Sequence, residues 1–457
     1  MDAEDLDHRT RTSSGCIPAP TVTRLLELGH EREVEVQAGR GEWFCALQWA
    51  RLLGERQQYE RALEVLAPYV ATDWWPAARA RAELLEGWGR GEEAIASSRP
   101  YAQAGEQLVL EFFARLLARH GRGAEAFALL RPGIEDRFLA EALVDVAKAA
   151  GLDEEAAAML EARIAAAVPV CDDPDCGRLR LEPFNAVNLL AAIRERQGRT
   201  EEATSLLRTS GACSVNGRDP LADLLARHGR IGDLRAYAAG EHRGFAAERL
   251  AEELEERGDV DGAAAVYRNP DNPPHWRYNH AVALAQLLAR HGRGGEAIEE
   301  LRAFAEVPGN GEDWIVSTLC HLYAEQGRAE DGLGYLDARQ ERCGGPESWE
   351  LFAPRLALMA ACGRIDEVAE LARAHPEGIA PHAVRSVSDL LAAAGRAEEA
   401  LAVLERDPAH NTSSRAEILI GLGRVGEAVA VLQQRPLPDP AGDPWTAAAT
   451  HSTEPPF

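Results

Sequence analysis

Lysine is all but missing from this chain. Lys148 stands alone among 49 basic residues, so the other 48 are arginine. With abundant Ala and Gly, that bias reads as high-GC codon usage rather than physical need. Long apolar runs are missing too: no segment approaches the roughly 18 uninterrupted apolar residues that a membrane-crossing helix needs. Residues 1–20 have neither a basic start nor an apolar core of signal-peptide length, and a cytoplasmic location is expected. The eight cysteines are scattered. Cys45, Cys320 and Cys362 fall inside apolar helical patterns, as small core residues of a reducing compartment do. Catalytic signatures are lacking as well. There is no Gly-rich phosphate loop ending in Lys-Ser/Thr, no His-Glu-x-x-His and no Gly-x-Ser-x-Gly. Neither an enzyme nor a cofactor is expected.

What the chain does have is one heptapeptide in three unchanged copies. Leu-Leu-Ala-Arg-His-Gly-Arg fills 116–122, 224–230 and 287–293. A looser copy, Gly-Arg followed by an acid and an alanine, recurs throughout. The turn glycines are Gly89, Gly121, Gly151, Gly198, Gly229, Gly258, Gly292, Gly327, Gly363, Gly395 and Gly423. Their steps run from 28 to 36 residues, apart from one of 47. An earlier unit, Ala46 to Val70, has Gln57 in the glycine's place. Each step holds two short helices and two turns. In one unit Phe112, Phe113, Leu116 and Leu117 share a helix face, Gly121 stops the helix, and Ala126, Leu129 and Leu130 stripe the next. Neither helix buries its stripe alone, so neighbouring units must stack.

Small residues recur at two fixed places. Seven residues before the turn glycine lie Ala82, Ala114, Ala191, Ala222, Ala251, Ala285, Cys320, Ser388 and Ala416. Five after it lie Ala94, Ala126, Ala156, Ala203, Ala263, Ala297, Ala400 and Ala428. On these residues the chain resembles the tetratricopeptide repeat family over about 42–435, and it is similar overall to uncharacterised actinobacterial repeat proteins. The resemblance implies an all-α, right-handed superhelical solenoid of about 11–12 stacked hairpins. Leu234, Gly332 and Val368 depart from the second small position, and Val144 and Leu356 from the first, so close helix contact is not expected there. The Gly-Arg turn also resembles pentatricopeptide repeats, which bind RNA. Charge decides between them at this stage: 49 basic against 74 acidic residues leaves −25, and no nucleic-acid partner is expected.

Arg119, Arg196, Arg227 and Arg290 form a row two residues before turn glycines, expected to face the negative ends of their helices. His120, His228 and His291 lie one residue nearer the glycine. They are expected to bond free helix-end carbonyls. The ends, 1–20 and 436–457, lack periodicity and are expected to be disordered tails flanking a solenoid over 21–435. The 47-residue step places an irregular loop at 168–183. Its Cys171 and Cys176 are the candidate metal ligands, but no second cysteine pair follows and no metal site is expected.

The family resemblance puts the first helix of each unit on a concave face where partner polypeptides bind. Transferred residue by residue, that face holds Asn185, Asn188, Asn216, Asp219, Asp223, Phe245, Glu248, Glu252, Asn279, Gln286, Trp314, Ser317 and His321. Solvent-facing helix positions are polar for ordinary reasons too. The expected function is a non-enzymatic scaffold or adaptor binding a peptide or partner protein, the alternative a ligand- or peptide-sensing arm of a regulatory system.

Overall fold

The computed structural model describes residues 2–12, 15–166, 180–209, 218–240, 244–269, 276–307, 309–344, 347–405 and 410–433. Among them are 27 α-helices and no strand. One isolated antiparallel bridge joins Asp136 to Arg180. After a lone first helix, Ala3–Thr12, the helices fall in chain order into thirteen pairs. The helical-repeat architecture expected from the glycine spacing is present. The additional pair is Ala19–Glu27 with Glu31–Gly39, whose turn, Gly29-His30, has no arginine to mark it.

All eleven turn glycines have positive φ, from 64° to 81°. Gln57, the residue in the glycine's place, also has a positive φ, of 61°. Turn geometry, rather than the residue, is the constant element. The small residues before and after each turn are buried without exception: Ala114, Ala126, Ala222, Ala263, Ala285 and Ala297 are all 0% exposed. The five departures are equally tight. Leu234, Val368 and Leu356 are 0% exposed and Val144 3%. A methyl added at Gly332 would sit 3.0 Å from the Leu358 side chain. Larger residues fill four of these sites and neighbours crowd the glycine at the fifth, so close packing persists where it was not expected.

The arginines of the Gly-Arg turns share one contact. They fold forward onto the acid three residues on, at the start of the second helix. Arg199–Glu202, Arg293–Glu296, Arg364–Glu367, Arg396–Glu399 and Arg424–Glu427 are two-pronged, each guanidinium spanning both carboxylate oxygens. Arg230–Asp233 and Arg328–Asp331 use one prong. An ammonium cannot make the fork. This is a physical use for arginine that composition alone did not offer.

The chain divides into two compact units, residues 1–120 with 380–457 and residues 121–379. In the first, residues far apart in sequence share one core. Leu6, Ile17, Val22, Leu25, Trp43, Trp49 and Leu53 cluster with Leu401, Ala416, Leu419, Ile420, Val429 and Leu432. That corrects the disordered tail expected at 1–20: Ala3–Thr12 is helical, and Leu6 and Ile17 are 2% and 0% exposed. Their partners come from a distant segment, which local periodicity does not reveal. The tail expected at 436–457 lies outside the described residues. So does most of the 168–183 loop, with Cys171 and Cys176. Among the described residues no group of three His, Cys, Asp or Glu is placed to hold a metal, and no helix is long and apolar enough to cross a membrane.

Candidate functional site

The heptapeptide histidines are not capping carbonyls. His120 Nε2 lies 3.2 Å from Glu86 Oε1, His228 Nε2 3.0 Å from Glu195 Oε1, and His291 Nε2 2.9 Å from Glu255 Oε1. The arginine before each histidine forks onto the same carboxylate. Arg119 does so at 2.7 and 2.8 Å, Arg227 at 3.1 and 2.8 Å, and Arg290 Nη2 at 3.2 and 2.9 Å. Each triad ties one unit to the unit before it. Each glutamate stands three residues before its turn glycine, a signal that was present in the sequence. Arg196, the fourth of the row, instead reaches Asp153 and the Val144 carbonyl. These arginines and histidines are therefore structural locks.

The locks have a pH signature. The fork from Arg119 holds Glu86 below the usual carboxylate range, against burial, and Arg290 does the same for Glu255. At Glu195 burial raises the pKa, and bonds from Arg227 and His228 outweigh it. A depressed folded pKa contributes stability that is present above the ordinary carboxylate pKa and lost as pH falls through the folded one. Replacing all three glutamates with glutamine is expected to cost about 2 kcal/mol at pH 7, scaled from partly exposed ion pairs. The gap to wild type should close below about pH 4 in denaturant titrations. A gap that persists undiminished there would refute an electrostatic origin.

Five of the expected groove residues do come together. Asp219, Asp223, Phe245, Glu248 and Glu252 line a cleft of about 420 Å³ between the helices Pro220–Arg227 and Gly244–Glu256. Arg218, Arg227, Arg249 and Glu256 complete it. Asp219 is the N-cap of the first helix: its Oδ1 accepts from Leu221 N and Ala222 N at 3.0 and 3.1 Å. Tyr237 donates to its other oxygen at 2.9 Å. Its role is to fix the cleft wall. On the second helix Phe245, Glu248, Glu252 and Glu256 recur at steps of three, four and four, on one face. Gly244 lets the Trp276 indole lie against the backbone, since a Cβ there would stand 2.0 Å from the ring. Trp276 in turn holds Phe245 edge-on at 4.4 Å.

The charges in the cleft are unevenly matched. Arg227 is committed to Glu195. Arg249 pairs with Glu253 at 3.0 Å and with Asp223 and Glu252 at 3.5 Å. Glu248 has no ion-pair partner among the described residues. Burial, with Glu252 one turn on, pushes its carboxyl up to about 7. The cleft thus presents an aromatic face beside a carboxylate that has no ion-pair partner among the described residues. The neighbouring His280 is 1% exposed, and burial depresses its pKa against the opposing pull of a contact with the Gly244 backbone. It packs between Tyr267 and Trp276 as core.

The remaining expected residues do not line this cleft. Asn185 is buried and Asn188 half-buried on Pro183–Arg196. Asn279 and Gln286 are exposed on Arg277–Arg290. Trp314 is 45% exposed, 6.4 Å from Tyr278, on the same helix as the half-buried Ser317. His321 is exposed and sits 3.2 Å from Glu325. Asn216 lies outside the described residues. Sequence reasoning missed Arg218, Arg249 and Glu256. The one-face spacing from Phe245 to Glu256 was the signal for the last.

No protein-family model and no curated protein matches the sequence. Solved helical-repeat structures do. One is Naa15/Naa10 bound to HypK, at 16% identity over 85% of this chain and 67% of that one, with a TM-score of 0.33. Another is the pentatricopeptide repeat protein PPR10 in complex with an 18-nt psaJ RNA element, at 15% identity over 94% and 75%, TM-score 0.33. PPR10 from maize matches at 16% over 90% and 67%, with the same score. The expectation that a nucleic-acid partner is excluded does not stand: PPR10, a matched helical-repeat protein, is in complex with RNA. Net charge alone is no ground for the exclusion, because it averages over surfaces that a ligand never meets.

Proposed function

We propose that the protein is a cytoplasmic, non-enzymatic scaffold of tetratricopeptide type that holds a peptide segment of a partner protein. The cleft between Pro220–Arg227 and Gly244–Glu256 is the contact point in this reading. One observation carries it: Glu248 is half-buried in the same cleft as Phe245 and has no ion-pair partner among the described residues. A basic side chain of the partner would supply a cation, lying against the phenyl face while the carboxylate pairs with it. Trp314, Asn279 and His321, exposed on later first helices, are the further contacts along the peptide.

The test is affinity capture from a lysate with wild type and with Phe245→Ala/Glu248→Gln, both checked for unchanged melting. Captured partners should fall by at least tenfold in the double variant. An aromatic anchor and a desolvated charge are the groups that dominate such contacts. If the variant stays folded and keeps every partner, the cleft is not the contact point. Binding by wild type should also strengthen from pH 6 to pH 8, as Glu248 ionises.

A further inference from the structure

Glu42 stands at the N-cap of Trp43–Glu55, yet its side chain makes no capping bond to that helix. It is 6% exposed and spends its carboxylate elsewhere. Oε2 accepts from the Ile17 backbone N–H at 3.3 Å. Oε1 accepts from Arg9 Nη2 and from Gln433 Nε2, both at 3.3 Å. Arg9 also donates to the Gly15 carbonyl at 2.9 Å. Gln433 donates a second bond, at 3.0 Å, to Gln37, which is 1% exposed and bonded onward to Glu33 at 2.7 Å. One buried carboxylate therefore gathers donors from residue 9, residue 17 and residue 433.

The apolar side of the same seam is the shared core. Leu6, Ile17, Val22 and Leu25 meet Ala416, Leu419, Ile420, Val429 and Leu432 from Thr412–Gly421 and Val425–Gln433. In a stack of repeats each unit otherwise packs on its sequence neighbours. Here the last described pair has two partners, Ala397–Leu404 before it and residues 6–53 some four hundred positions earlier. The second contact is made to a surface that every copy of the chain carries.

We propose that this seam is an interaction surface which a second copy can enter. The helix pair 412–433 is exchangeable, and Glu42 is its latch. A second copy is the matched occupant because its own 412–433 pair has by construction the shape and donors that the seam accepts. No new complementarity is needed, which is what makes exchange of an identical element a low-cost route to a dimer. The latch sets how readily the seam opens. Removing the acceptor strands the buried Ile17 N–H and leaves Arg9 and Gln433 with only their bonds to Gly15 and Gln37.

Cysteines in place of the two bonded amides read out the exchange. A single chain carrying both Gln37→Cys and Gln433→Cys should close internally on mild oxidation, with the bond mapped by peptide mass. If it does not, the seam itself is refuted. Two full-length copies, one with Gln37→Cys and the other with Gln433→Cys, are then mixed at high concentration. They should form a disulfide between copies, and a light-scattering mass of a dimer. In an Arg9→Ala background, which loosens the latch without emptying the carboxylate, the cross-copy bond should form at least tenfold faster. Glu42→Ala should be faster still, and Arg9→Ala stands in if it does not fold. Internal closure without any cross-copy bond would overturn the exchange. Equal rates with and without Arg9 would overturn the latch.

Discussion

Gly292→Val is expected to lower the stability of the folded chain by about 3 kcal/mol, read as a drop in the denaturant midpoint with an unchanged slope. The cause is isolated by the structure. Gly292 has φ +73°, and a Cβ built there meets nothing within 4 Å. The Cβ itself meets no clash, so the cost expected is that of the left-handed backbone, which glycine enters freely and a β-branched residue resists. The same turn offers its own control. Gln57 already holds that conformation at φ 61° with a side chain in place. Gln57→Gly should therefore stabilise by about 0.5–1 kcal/mol, even after the entropy glycine adds to the unfolded chain. Opposite signs at equivalent turns are the signature of a backbone effect. A loss at both positions would mean that the side chain of Gln57 matters and that the turns are not equivalent.

Turns and close contacts were legible in the sequence because each is local. A glycine at a fixed interval reports its own φ. An alanine seven residues before it reports the space left by the next helix. Gln57 was identified on spacing alone and has the expected conformation. The locks were half legible. His120, His228 and His291 repeat visibly, but each bonds an acid 33 to 36 residues earlier, and nothing local names that partner. The burial of Leu6 and Ile17 was not legible at all, since the core they share draws Leu419 and Leu432 from about four hundred residues away. The cleft was legible as a face, through Phe245 and Glu248 at i and i+3. It was not legible as an imbalance of charge, because that depends on which arginines are committed elsewhere. Arg227 looks available in the sequence and is bound to Glu195 in the structure.

Leu234→Ala separates the pattern of the repeat from the packing that the pattern stands for. Alanine is the residue that most units place five positions after the turn glycine, so the change moves this unit toward the common sequence. On pattern alone it should be neutral or stabilising. The structure gives the opposite sign. Leu234 is 0% exposed on Ile231–Ala238, although its helix is only eight residues long and the leucine is its one fully buried side chain. The same helix carries Tyr237, whose hydroxyl donates to Asp219 at the cleft wall. Truncation removes buried methyl groups and leaves a cavity that a short helix closes only in part. The expected loss is about 3 kcal/mol. Ala263→Leu, the converse change in the next unit at a residue that is also 0% exposed, should destabilise by about 2 kcal/mol through overpacking. Both losses together mean that each contact is sized to its own unit. A gain from Leu234→Ala would show instead that the helices close up to the spacing of the common repeat, and that the leucine was holding them apart.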